Sequence, residues 1–129
     1  MNHATTALFS LGVIAGMTLP IQGAQAFPAL YLERTQLRIP IGHCPGAALA
    51  AVKRAGLQQP IKDTEGAGGT TPTARATIRC VRLPHAGPCN TDGATAVFIA
   101  ASDMNFEEAK ALVQRMNKAL GNPVLIDCN

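Results

Sequence analysis

Ala94-Thr95-Ala96-Val97-Phe98-Ile99-Ala100-Ala101 is the stretch on which the fold turns. Apolar residues occupy both parities of this run, the pattern of a central strand covered on two faces. After three intervening residues, Asn105-Phe106-Glu107-Glu108 presents an N-cap and a Glu three positions on, a capping box. Phe106, Ala109, Leu112, Val113, Met116 and Leu120 then recur at helical spacing until Gly121-Asn122-Pro123 stops them. Val124-Leu125-Ile126-Asp127-Cys128 reads as a closing strand.

Upstream the same order appears once more. Ala29 to Ile39 is rich in β-formers, partly alternates and ends at Pro40 and Gly42, which predicts a first strand. Residues 45–55 predict a short helix. Pro45 suits the first helical position, Ala47, Ala48, Leu49, Ala51, Val52 and Ala55 form an apolar face, Lys53 and Arg54 complement the C-terminal dipole, and Gly56 can cap. Residues 57–74 hold three Gly, two Pro and four Thr and predict a mobile connection. Ala76 to Leu83 alternates as a half-exposed strand ended by Pro84, and residues 84–93 are dense in turn formers.

Strand, helix, strand, strand, helix, strand is the βαββαβ order of a ferredoxin-like α+β sandwich: an antiparallel sheet ordered 4-1-3-2 with two helices on one face. The second face of such a sheet is left open or meets a second copy, so a homodimer through it is an expectation.

With 129 residues, 47% hydrophobic and 15% charged, the chain has room for one folded domain. Residues 7–19 form an apolar run too short to span a bilayer. With Pro20 and Ala24-Gln25-Ala26 after it, the run reads as a signal peptide, residues 1–26, cut before Phe27. A retained N-terminal anchor is the alternative. Residues 27–129 would then be a periplasmic or secreted domain with no stable membrane span. Its formal charge of +3 is spread out rather than patterned for nucleic acid, and Arg75, Arg79 and Arg82 read as a solvated strand face rather than an anion site. Four Phe, one Tyr and no Trp do not make a base-stacking or sugar-stacking platform.

Cys44, Cys80, Cys89 and Cys128, an even count in a short exported chain, predict two disulfides. In the expected topology Cys44, Cys80 and Cys89 gather at one pole, whereas an antiparallel last strand carries Cys128 to the other. Cys44 with Cys80, leaving Cys89 with Cys128, is the favoured pairing, and Cys44 with Cys89 is the alternative; four cysteines allow three connectivities.

At the same pole His43-Cys44 at the strand-to-helix turn, with His85 and Cys89 on the later loop, offer the donor set of a Cys2His2 metal site. The placement is similar to that of heavy-metal-associated domains, whose cysteines occupy the first strand-to-helix loop. Ile41-Gly42-His43-Cys44-Pro45-Gly46-Ala47 carries one cysteine and Ala47 where that family's second cysteine stands, so the likeness is one of topology. A nucleophilic Cys44 with His43 or His85 as base lacks a nameable third residue or oxyanion loop. The expectation is therefore a small exported binding protein without catalytic residues or cofactor, taking a protein or small-molecule partner. The alternative is a periplasmic metal-binding protein using His43, Cys44, His85 and Cys89.

Overall fold

In the computed structural model, which describes residues 28–124, the chain runs β1 (Ala29–Pro40), α1 (Cys44–Arg54), β2 (Gln58–Asp63), β3 (Gly66–Thr70), β4 (Ala74–Leu83), β5 (Gly93–Ser102) and α2 (Phe106–Leu120). Single 3-10 turns stand at Ile41–His43 and Pro88–Asn90. The strands form one antiparallel sheet in the order β1-β5-β4-β3-β2, with α1 lying on β4, β3 and β2 and α2 on β1 and β5. No helix among the described residues is long and apolar enough to cross a membrane. The expected leader, residues 1–26, lies outside the described residues.

The fold class is thus α+β with two helices and one antiparallel sheet, but the strand order departs from the four-stranded 4-1-3-2 expectation. The expected first, third and second strands do lie side by side, as β1, β5 and β4. The departure comes from residues 57–74, expected as an irregular connection and folded instead as the hairpin β2–β3, which extends the sheet beyond β4. Pro60, Asp63 and the three Gly of this hairpin disfavour strands on their own; pairing with β4 supplies the preference. Gly66 approaches β4 so closely that a Cβ there would stand 1.9 Å from the Ile78 carbonyl oxygen. Gly69 lets α1 settle on β3, since its missing Cβ would lie 2.9 Å from Leu57 Cβ and 3.3 Å from Val52 Cγ1. The outer strand β2 is exposed along its length, carries Pro60 and Lys62 and is bulged, features that blunt a sheet edge.

A second departure concerns the closing strand. Val124 makes a parallel bridge with Arg38 of β1, where an antiparallel strand was expected, and residues 125–129 lie outside the described residues. The expected place of Cys128 at the other pole falls on residues outside the described ones.

Both helices form for local reasons. In α1, Cys44, Ala48, Ala51 and Val52 recur on the buried side, Pro45 fills the first turn, and Gly56 turns the chain away at φ +79°. In α2, Asn105 Oδ1 accepts from the Glu108 amide at 2.8 Å. The carboxylate of Glu108 does not return to Asn105, as a standard capping box would have it, but accepts from the hydroxyls of Ser102 and Thr73. Ser102 Oγ in turn takes the amides of Met104, at 3.0 Å, and Asn105, at 3.4 Å. The box is closed through the end of β5. Arg54 donates twice to the Ala119 carbonyl, at 2.8 and 3.1 Å, tying the two helix ends together.

Candidate functional site

Two regions collect the chemically distinctive side chains: the pole at the start of α1, and the sheet face opposite the helices. At the pole, Cys44 is fully buried and bonded to Cys80, with 6.0 Å between Cα atoms and a sequence separation of 36. The bond pins the first residue of α1 to β4, the favoured pairing. By loop entropy such a link stabilises by about 4 kcal/mol. Cys89 is also disulfide-bonded, and Cys128 lies outside the described residues.

The connection from β4 to β5 is held by its own polar groups. Asp92 accepts from the His85 amide at 3.2 Å, pairs with Arg82, and passes its carbonyl to the Ile41 amide at 2.9 Å. The His85 amide, and after it the Arg82 guanidinium, hold the Asp92 carboxyl below the usual carboxylate range. His85, Cys89 and Asn90 stand at positive φ, the left-handed region that side chains with a Cβ seldom adopt.

This arrangement does not bring His43, Cys44, His85 and Cys89 together as a metal centre. His43 and His85 are exposed, Cys44 is buried with its sulfur in the bond to Cys80, and Cys89 is likewise bonded. A disulfide sulfur is not the thiolate that a metal, or a nucleophilic mechanism, requires. Among the described residues no three His, Cys, Asp or Glu side chains are grouped to hold an ion. A hollow of about 600 Å³ beside Leu37, Arg38, Gly87 and Pro88 borders Val124, the last described residue, and so defines no site.

The other region is built by strand parity. Ala94, Ala96, Phe98, Ala100 and Ser102 of β5 are buried beneath the helices, which leaves Thr95, Val97, Ile99 and Ala101 on the opposite face. Pairing sets their neighbours. Leu30 and Arg75 flank Ala101, Leu32 and Thr77 flank Ile99, and Arg34 and Arg79 flank Val97. Beyond β4, Gly66 and Gly68 leave the floor bare, and Ile61 stands over it, 73% exposed. A groove of about 280 Å³ runs here past Ile61, Gly68, Thr77 and Arg79, and shares Gln59, Thr70 and Arg75 with a hollow of about 450 Å³ beside Thr71, Thr73 and Asp103.

β1 departs from what its polarity suggests. Leu30 and Leu32, 60% and 56% exposed, point away from the helices, while Glu33 and Thr35 point toward α2. There Asn117 donates from Nδ2 to Glu33 at 2.8 Å and accepts from the Thr35 hydroxyl at 3.4 Å. Edge-to-face packing of Tyr31 on Phe106, centroids 5.5 Å apart, and burial of Leu37 and Ile39 hold the strand in this register.

The charges on this face are uneven. Arg79 pairs with Asp63, at 2.8 Å, and with Glu65. The Asp63 carboxyl is lowered first by the Glu65 amide and then by Arg79. Among the described residues Arg34 and Arg75 make no ion pair. Sequence reasoning places Arg75 and Arg79 on a strand face but misses the leucines beside them; the signal is in residues 30–39, where the aliphatic positions change parity between Leu30 and Leu32 on one side and Leu37 and Ile39 on the other.

Compared with known proteins, the chain matches no family model, no curated protein and no solved structure.

Proposed function

We propose that this protein is a small exported binding protein, without catalytic chemistry, that docks a protein partner on the uncovered face of its sheet. One observation carries the reading: Leu30 and Leu32 are held outside while Glu33 and Thr35 occupy the helix side. A one-residue shift of register would bury the leucines, each worth roughly 1.5–3 kcal/mol on full burial. The chain keeps them in water and satisfies the inward carboxylate with Asn117 instead. Together with the half-exposed Val97, Ile99 and Ala101, they make an apolar patch of the kind that marks an interaction site. Export accords with the Cys44–Cys80 bond, since disulfides persist in oxidising compartments.

The test is a photoreactive residue placed singly at Leu32, at Ile99 and, on the exposed side of α2, at Gln114 in the exporting cell. The expected result is one discrete adduct at Leu32 and Ile99 and none at Gln114, with the trapped partner rebinding the purified protein and losing about tenfold in affinity to Leu32→Glu. Adducts at all three positions, or at none, overturn the proposal. Export is checked by intact mass and non-reducing peptide mapping: a chain beginning at Phe27 with Cys44 linked to Cys80 is expected, and a reduced chain retaining residue 1 contradicts it.

A further inference from the structure

The charge on the same face points to the chemistry of its partner. We infer that the uncovered face receives an acidic polypeptide segment in which carboxylates alternate with aliphatic side chains along the one face that meets the sheet, and the inference rests on the binding reading above. Four observations support it.

The first is charge. Arg34, Arg75 and Arg79 surround the β5 row, and Asp63 and Glu65 are both taken up by Arg79. Arg34 and Arg75 make no ion pair among the described residues, although Asp103 borders the same hollow as Arg75. The second is spacing. Arg34 lies beside Val97 from β1 and Arg75 beside Ala101 from β4, so the two guanidinium groups outside ion pairs stand on opposite flanks of β5, four residues or roughly 13 Å apart along it. An extended segment lying along β5 would therefore meet a guanidinium on each flank.

The third is the interleaving of charge with apolar surface. Along the strands, Arg34 is followed by Leu32 and Leu30, Val97 by Ile99 and Ala101, and Arg79 by Thr77 and Arg75. A ligand that is only anionic leaves Leu30, Leu32 and Ile99 in water, and one that is only apolar strands the guanidinium groups in a drying interface, which is costly. Because successive side chains of a strand point to opposite faces, a segment that carries carboxylate and aliphatic residues in turn at every second position presents both to this surface. Guanidinium groups also suit carboxylates better than ammonium groups do, because their planar forks bind both oxygens. The fourth is self-exclusion. Two copies of this chain meeting face to face would bring two net-cationic surfaces together, so the charge selects against the homodimer and for an acidic partner.

The experiment titrates the full chain, disulfides intact, with the acetylated and amidated octapeptide Glu-Ser-Val-Ser-Glu-Ser-Val-Ser, one face of which alternates Glu and Val, and with its counterpart carrying Lys in place of Glu, observed by amide NMR. The expected result is saturable shifts at Leu32, Arg34, Val97 and Ile99 with the Glu peptide, weakening as salt rises, and none with the Lys peptide. The double variant Arg34→Glu with Arg75→Glu, both exposed positions whose folding circular dichroism verifies, should weaken the Glu peptide by about tenfold or more and admit the Lys peptide.

Equal binding of the two peptides, or indifference to the double variant, overturns the inference. So does a dimer by sedimentation whose interface protects Ile99, or binding to phosphatidylglycerol vesicles in place of the peptide. If neither peptide binds while the crosslinker at Leu32 still traps a discrete partner, the proposed chemistry is wrong and the binding reading survives. If both fail, both are wrong.

Discussion

The two sides of β5 carry similar side chains and meet different fates. Ala96, Phe98 and Ala100 are fully buried beneath the helices, while Val97, Ile99 and Ala101 one residue away are half-exposed. Hydrophobicity alone does not separate them. What separates them is where the helices attach: both connections that carry a helix cross the same face, and among the described residues nothing packs on the other. An apolar strand in the middle of a sheet thus marks a need for two covers without saying that this chain provides both.

Truncation on each side of the strand tests that contrast most strongly. Phe98→Ala should cost about 3–5 kcal/mol in urea unfolding, because it removes a ring from the packed layer between sheet and helices. Ile99→Ala should cost below about 1 kcal/mol and act instead on partner binding. Equal costs on the two sides would mean that the open face is covered in the isolated chain.

Removing the covalent link comes next. Cys44→Ala with Cys80→Ala should lower stability by about 2–4 kcal/mol, read as a shift in urea midpoint, because the link holds α1 to β4 on the covered face alone. Crosslinking from Leu32 should persist in the variant wherever it remains folded.

A third comparison lies within β1. Asn117→Ala should cost about 1–2 kcal/mol in the same assay, since it leaves the Glu33 carboxylate without its donor on the helix side. Leu32→Thr should change stability by less than about 0.5 kcal/mol while weakening the partner complex. A large loss from Leu32→Thr would show that this leucine is structural and remove the main support for the docking face.

The smallest expected effect is a dependence on pH. Asp63, Asp92 and Glu108 all have carboxyls lowered by folding, and Glu108 owes its shift to the Ser102 and Thr73 hydroxyls. A carboxyl lowered by folding contributes its full stability above the unfolded value and loses it as pH falls through the folded one. Stability should therefore be level near neutrality and decline from about pH 4 downward. Glu108→Gln should flatten part of that decline, and an unchanged acid profile would show that the hydroxyl contacts add nothing.

Much of the fold was legible because its signals are local. Asn105 caps α2, the apolar spacing from Phe106 to Leu120 sets its buried side, Pro45 and Gly56 bracket α1, and the neighbourhood of β1, β5 and β4 follows from their order in the chain. The hairpin β2–β3 was not legible, since Gly66, Gly68 and Gly69 read as flexible until β4 is present to pair with them. Of the candidate site, the cysteines and histidines were visible as residues, but their fate depended on Cys44 meeting Cys80 across 36 positions. The open face was half visible: Arg75 and Arg79 stood out as a strand face, while the partial alternation of β1 did not show which way Leu30 and Leu32 point.

Sequence alone determined which segments are helices and which are the long strands, because periodicity, caps and breakers act within a few residues of one another. Tertiary structure alone decided which side of β1 faces α2, that residues 58–70 add two strands, that Cys44 pairs with Cys80, and that Val124 lies parallel to Arg38. Each of these is a choice between partners far apart in the chain. Such choices are settled by hydrogen bonds and close packing that exist only once both partners are in place, as when Asn117 receives Glu33 from 84 residues away.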